Sequence, residues 1–187
     1  MSVLEAIAAS RVPVEEMSKA DFLVHLSAER PMLIAFYESG DALSESAVGE
    51  LEAFAVQVAT HHPDLHLRKV NHRNNPYLTA RMLLTEIPEL HLLLKDEGSE
   101  WTSYKIEIGD EPGALAEFMD SQRWRTQAPV GGSAQMFCSP FNACGKTLAV
   151  IAEMGHALEA VLPLPRWLAL IVIPAMITLV GRFIIQG

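Results

Sequence analysis

The strongest constraint on the fold is the run Met32-Leu33-Ile34-Ala35-Phe36-Tyr37, which is apolar at every position. A short run without polar alternation suits a central strand covered on both faces. Just beyond it, Ala47, Val48, Leu51, Phe54, Ala55 and Val58 recur at three- and four-residue intervals, the spacing of a long amphipathic helix. A buried strand followed by a helix that can cover one of its faces belongs to the α/β class.

The rest of the first two thirds alternates in the same way. Ser18 to Glu29 reads as a helix with Phe22, Leu23 and Leu26 on one face, and His66 to Val70 reads as a strand. Asn75-Pro76 opens a short helix through Met82, with proline at an early position where its missing N–H costs little. Leu90 to Lys95 is an apolar strand turned at Asp96-Glu97-Gly98, and Trp101 to Ile106 answers it as a hairpin partner. Glu111 to Ser121, carrying Leu115, Phe118 and Met119, reads as a closing helix. Pro129, Gly131, Gly132, Ser133, Ser139 and Pro140 mark a linker, after which the chain is almost entirely apolar. The expected organisation is a domain over 1–125, a linker over 126–145, an amphipathic helix over 146–163, and a transmembrane helix with a short tail over 164–187.

Composition excludes some partners. The net charge of -9 on 187 residues argues against nucleic acid, which needs a basic face. Half the residues are hydrophobic and the mean hydropathy is +0.19, high for a soluble chain, with the excess gathered at the C-terminal end. The seven histidines, His25, His61, His62, His66, His72, His91 and His156, have no cysteine at ligand spacing, so neither a metal nor a cofactor is expected. The two cysteines, Cys138 and Cys144, could close a small disulfide loop or stand as two thiols. Met1 to Arg11 shows no basic stretch before a hydrophobic run, so no cleavable secretory signal is expected.

Several local matches resemble the thioredoxin family. The stretch MLIAFYESGDALS sits where that family has an apolar strand, an aromatic pair and then the Cys-x-x-Cys turn that opens a long helix. KVNHRNNPYLTARMLLTEIP is similar to the family's next strand, its Asn-Pro helix start and its Ile-Pro turn, and ELHLLLKDEGSEW to the hairpin that follows. The resemblance covers roughly Val14 to Gln122. It implies a thioredoxin-like fold, a central mixed sheet flanked by helices, and a cis bond between Ile87 and Pro88.

The departures from the family bear on function. Asp41 and Ser44 occupy the positions of the two cysteines. Thiol–disulfide exchange needs a thiolate, which neither residue supplies, whereas both are good helix N-cap residues. Ala35 stands near the place of the buried acid found in many relatives. Glu89 follows Pro88 where a small or hydroxyl residue is usual. The resemblance therefore implies a redox-inactive member with no catalytic residue. A hydrolase built from Ser44, Asp41 or Glu38 with His91 nearby is disfavoured, since no Gly-x-Ser-x-Gly elbow is present.

The C-terminal end reads as a membrane anchor. Trp167 to Gly181 carries no charge, and with Ile184 and Ile185 the apolar stretch reaches about twenty residues, the length a bilayer core requires. Arg166 and Trp167 would mark one interface and Arg182 the other. Over 147–162 the polar residues Glu153, His156 and Glu159 form one narrow stripe, as in a helix lying at a membrane surface or against a partner. The expected function is a non-catalytic, single-pass membrane-anchored accessory subunit of a membrane complex. Its partners would be other membrane subunits through the C-terminal helices, proteins docked on the domain, and lipid. The mitochondrial inner membrane, in a respiratory or ATP synthase assembly, is the first setting. Two alternatives stand beside it: a redox-inactive thioredoxin-related chaperone of the endoplasmic reticulum membrane, and a thiol oxidoreductase using Cys138 and Cys144.

Overall fold

The computed structural model describes residues 13–95, 100–107, 113–131 and 138–161. In chain order these form α1 (Lys19–Ser27), β1 (Met32–Tyr37), α2 (Ala42–His61), β2 (His66–Asn71), α3 (Pro76–Arg81), β3 (Glu89–Lys95), β4 (Trp101–Ile106), α4 (Ala114–Asp120), a 3-10 turn (Arg123–Thr126) and α5 (Ala143–Val161). The sheet runs β2-β1-β3-β4, with β1 parallel to β2, β3 antiparallel to β1, and β4 antiparallel to β3. Before α1, Glu16 bridges to Lys69 and extends the β2 edge.

Period-two alternation divides the strands between two cores. On one face Leu33, Ala35, Leu67, Leu90, Leu92 and Ile106 pack against Leu51, Phe54 and Val58 of α2 and Leu115, Phe118 and Met119 of α4. On the other, Met32, Ile34, Phe36, Val70 and Leu93 meet Phe22 of α1, Tyr77 and Leu78 of α3, and Met82. β1 is buried on both faces, as its unbroken apolar run requires. Local chemistry sets the helix starts. Ser18 and Asp21 form a reciprocal capping box on α1, Asp41 caps α2, and Pro76 enters α3 at its first turn.

The C-terminal part departs from the sequence reading. Residues 138–145, read as linker, are packed on the domain, and Phe141 belongs to the second core. The helix read from 146 starts at Ala143, because Asn142 Oδ1 accepts the Gly145 N–H at 3.1 Å and caps the turn three residues earlier. It does not lie free on its polar stripe. Ala149 is fully buried in the second core and Glu153 pairs with Lys19 of α1. Among the described residues no helix is long and apolar enough to cross a membrane. The expected span, with Arg166, Trp167 and Arg182, lies outside them, as does the turn at Asp96-Glu97-Gly98.

Candidate functional site

The turn between β1 and α2 is held by its own polar atoms. The Asp41 carboxylate accepts the Ser44 N–H at 2.8 Å, and the fully buried Ser44 Oγ accepts the Glu38 N–H at 3.0 Å. Gly40, at φ +82, supplies the left-handed residue that turns the chain into this cap. Glu38 meets His72 Nε2 at 3.1 Å and also pairs with Arg73. Chiefly through the His72 hydrogen bond, these partners hold its carboxyl below the usual range. Asn71 completes the surround, donating to Ser39 Oγ at 2.8 Å and accepting the Arg73 N–H at 3.0 Å. Asp41 and Ser44 are thus both engaged in closing the helix start.

The Ile87–Pro88 bond is cis, and a buried polar array begins at the next residue. Glu89 Oε1 accepts the Thr85 N–H at 3.2 Å, the Thr85 hydroxyl at 3.0 Å, the Glu86 N–H at 3.1 Å and Lys105 Nζ at 3.1 Å. Its Oε2 lies 2.9 Å from His91 Nε2, and His91 Nδ1 lies 3.0 Å from Ser103 Oγ. A carboxylate only accepts, so Nε2 carries the proton, and in the neutral ring Nδ1 accepts the Ser103 hydroxyl. Phe36 stacks edge-on at 5.6 Å. Burial by itself would raise the Glu89 pKa, but the hydrogen bonds from His91 and Lys105 outweigh it and bring the value down to about 2.

Serine, histidine and carboxylate in one chain of hydrogen bonds would suggest acyl transfer. Burial argues otherwise: Glu89, His91 and Ser103 are each at most 2% exposed, so no substrate carbonyl reaches Ser103 Oγ. What the array does is tie the loop before Pro88, through the Thr85 and Glu86 amides, to β3 and β4. A hydrolase would need His91 near Asp41, Ser44 and Glu38. The hydrogen bonds of His91 instead go to Glu89 and Ser103, because strand alternation carries it to the second core. The signal for the array was present as polar residues two apart in ELHLLLK and WTSYK, which the hairpin register brings together.

Cys138 and Cys144 are bonded to each other, with Cα atoms 5.1 Å apart. Between them Phe141 is buried above the guanidinium of Arg81, whose Nε donates to the Pro140 carbonyl at 3.1 Å and whose Nη1 donates to the Tyr77 hydroxyl at 2.7 Å. No group of three or more metal-ligating side chains occurs among the described residues.

No family model matches the chain, and none of the curated proteins matches it. Solved structures do. A crystal structure of ERdj5 aligns with a TM-score of 0.52 and 13% identity over 63% of this chain and 15% of that one. Human ERp44 in its zinc-bound form aligns at 0.50 and 15% identity over 60% of this chain and 30% of that one. Chloroplastic thioredoxin z gives 0.47 and 18% identity over 62% of this chain and 97% of that one. This chain spans only 15% of ERdj5 and 30% of ERp44, and at these identities the likeness is one of fold. The fold is thioredoxin-like.

Proposed function

We propose that the chain is a non-catalytic, membrane-anchored thioredoxin-like module that acts by binding other proteins. The observation that carries this reading is the helix start. Asp41 and Ser44 stand at the dithiol positions with their polar atoms spent on the N-cap, and neither is a thiol. The apolar 164–187 segment supplies the anchor in this reading, and the C-terminal helices and the domain surface supply contacts to the other subunits of a membrane complex. An insulin disulfide-reduction assay on the full-length chain is expected to show no turnover. Alkaline carbonate extraction is expected to leave the chain in the membrane pellet, and blue-native electrophoresis to place it in a larger assembly. Migration as a free monomer would remove the subunit role.

The setting has two versions. The mitochondrial inner membrane rests on the sequence alone. The endoplasmic reticulum, with the domain in the lumen as a redox-inactive client-binding module, is favoured by the Cys138–Cys144 bond, since structural disulfides persist in oxidising compartments. Protease protection of the domain in sealed microsomes separates the two. Insulin reduction that is lost in Cys144→Ala would instead support an oxidoreductase using that pair.

A further inference from the structure

Pro140 and Phe141, between the two bonded cysteines, are buried, so residues 138–144 form a strap pressed onto the domain. Phe141 lies 6.2 Å from the Trp101 ring of β4 and shares the second core with Phe22 and Leu78. Beneath it, the Arg81 guanidinium sits 5.2 Å from the Phe22 ring centre, 5.8 Å from Tyr77 and 5.9 Å from Phe141. No carboxylate among the described residues pairs with Arg81; the strap's own Pro140 carbonyl is one of its two acceptors. A Cβ on Gly131 would lie 2.5 Å from the Cys138 carbonyl oxygen, and one on Gly145 would lie 2.2 Å from that of Ser139, so both flanks fit tightly. Cys144 stands in the first turn of α5, and five residues on Ala149 is fully buried in the same core as α3.

We propose that the Cys138–Cys144 bond is a redox latch on this strap. Closed, it keeps Phe141 over Arg81 and seats the N-terminal half of α5 on α3. Opened by a dithiol, it lets both move away. The bond acts by restricting the unseated strap. Two cysteines six positions apart leave a closed ring few conformations in which Phe141 is not against the domain, and cutting the ring restores them. Both cysteines are half-buried, which leaves an approach for a small reductant. One thiolate of a 1,4-dithiol, whose two sulfurs can close an unstrained six-membered ring, attacks either sulfur and forms a mixed disulfide. The reductant's second thiol then displaces it, leaving a cyclic disulfide, while two electrons and two protons pass to Cys138 and Cys144. The effect is confined to the second core, because α2 and α4 pack on the opposite face of the sheet. This inference stands apart from the membrane reading and does not require it.

Hydrogen exchange on the full-length chain, with and without dithiothreitol and with reduction verified by mass, tests the latch. Reduction is expected to speed exchange by about tenfold or more over 143–149 and 76–82 while leaving 47–58 unchanged. Unchanged exchange over 143–149 in the fully reduced chain would overturn the proposal. An equal rise over 47–58 would also overturn it, since the bond would then be supporting global stability. Phe141→Ala with the disulfide intact is expected to speed exchange over 76–82 alone, and no change there would show that the strap does not hold α3. These arms do not depend on whether Cys138→Ser with Cys144→Ser folds. If that variant folds, it is expected to match the reduced chain.

Discussion

Glu89 and His91 stand two positions apart on β3, and their side chains meet at 2.9 Å with both only 1% exposed. Five further interactions converge on this pair: four donors on Glu89 Oε1 and the Ser103 hydroxyl on His91. Breaking a buried charged network from one side leaves donors without an acceptor. Glu89→Gln is therefore expected to cost about 3 kcal/mol in urea denaturation, and Ser103→Ala about 1 kcal/mol. A Glu89→Gln midpoint equal to that of the parent would mean that the array adds nothing to stability.

The same pair gives the fold a response to acid. A folded pKa of about 2 against an ordinary value of 4.5 means that the unfolded chain binds the proton more readily. The stability from Glu89 is therefore fully present above pH 4.5 and is lost as pH falls from there towards 2, a contribution of about 3 kcal/mol. Urea midpoints measured between pH 6 and pH 2.5 should fall steeply in the parent, and less steeply in Glu89→Gln.

Much of the architecture was legible because it rests on periodicity. The unbroken run 32–37, the stripe from Ala47 to Val58 and the hairpin all fold as their patterns require. The C-terminal strap was not legible. Gly131, Ser139 and Pro140 have the composition of a linker, and nothing in the order of residues shows that Arg81 presents a guanidinium to the Pro140 carbonyl across 59 positions. Of the candidate site, the Asp41–Ser44 cap could be read from its spacing. The polar array showed only as polar residues two apart on each strand, because joining His91 to Ser103 requires the register of the two strands.

A second pH response lies at the other end of the sheet. His25 and His66 meet edge to face at 4.5 Å, and Arg30 Nη1 lies 3.3 Å from His66 Nε2. Burial, and then nearby positive charge, push both imidazoles below the usual 6.5. Folding thus favours their neutral forms, and the stability they give is present above pH 6.5 and lost as pH falls through the lowered values. Arg30→Gln removes one of these charges and is expected to raise the His66 pKa in an NMR titration. A lower value would contradict the assignment.

The helix start gives a test that separates capping from catalysis. Asp41→Ala is expected to lower stability by about 1 kcal/mol, the usual loss when an N-cap acceptor is removed. Asp41→Asn keeps an oxygen for the Ser44 N–H and is expected to recover most of that loss. Thermal melts of the two variants side by side make the comparison, and a destabilised Asp41→Asn would show that charge matters there more than the hydrogen bond.

Two glycines of α5 should respond in opposite directions to one substitution. In Gly145→Ala the new methyl would lie 2.2 Å from the Ser139 carbonyl oxygen and 3.1 Å from the Pro140 carbonyl carbon, backbone atoms held in place by the disulfide and by Arg81. Something must shift, and a loss of about 2 kcal/mol is expected. Gly155 has nothing within 4 Å of the same position, so alanine there only raises helix propensity and should stabilise by about 0.5–1 kcal/mol. Reduction should narrow the gap, because a released strap gives the Gly145→Ala methyl room while Gly155→Ala is unaffected. Denaturation midpoints of both variants in oxidised and reduced form decide the matter. A Gly145→Ala penalty that persists in full after reduction would show that residues 138–145 stay seated without their bond.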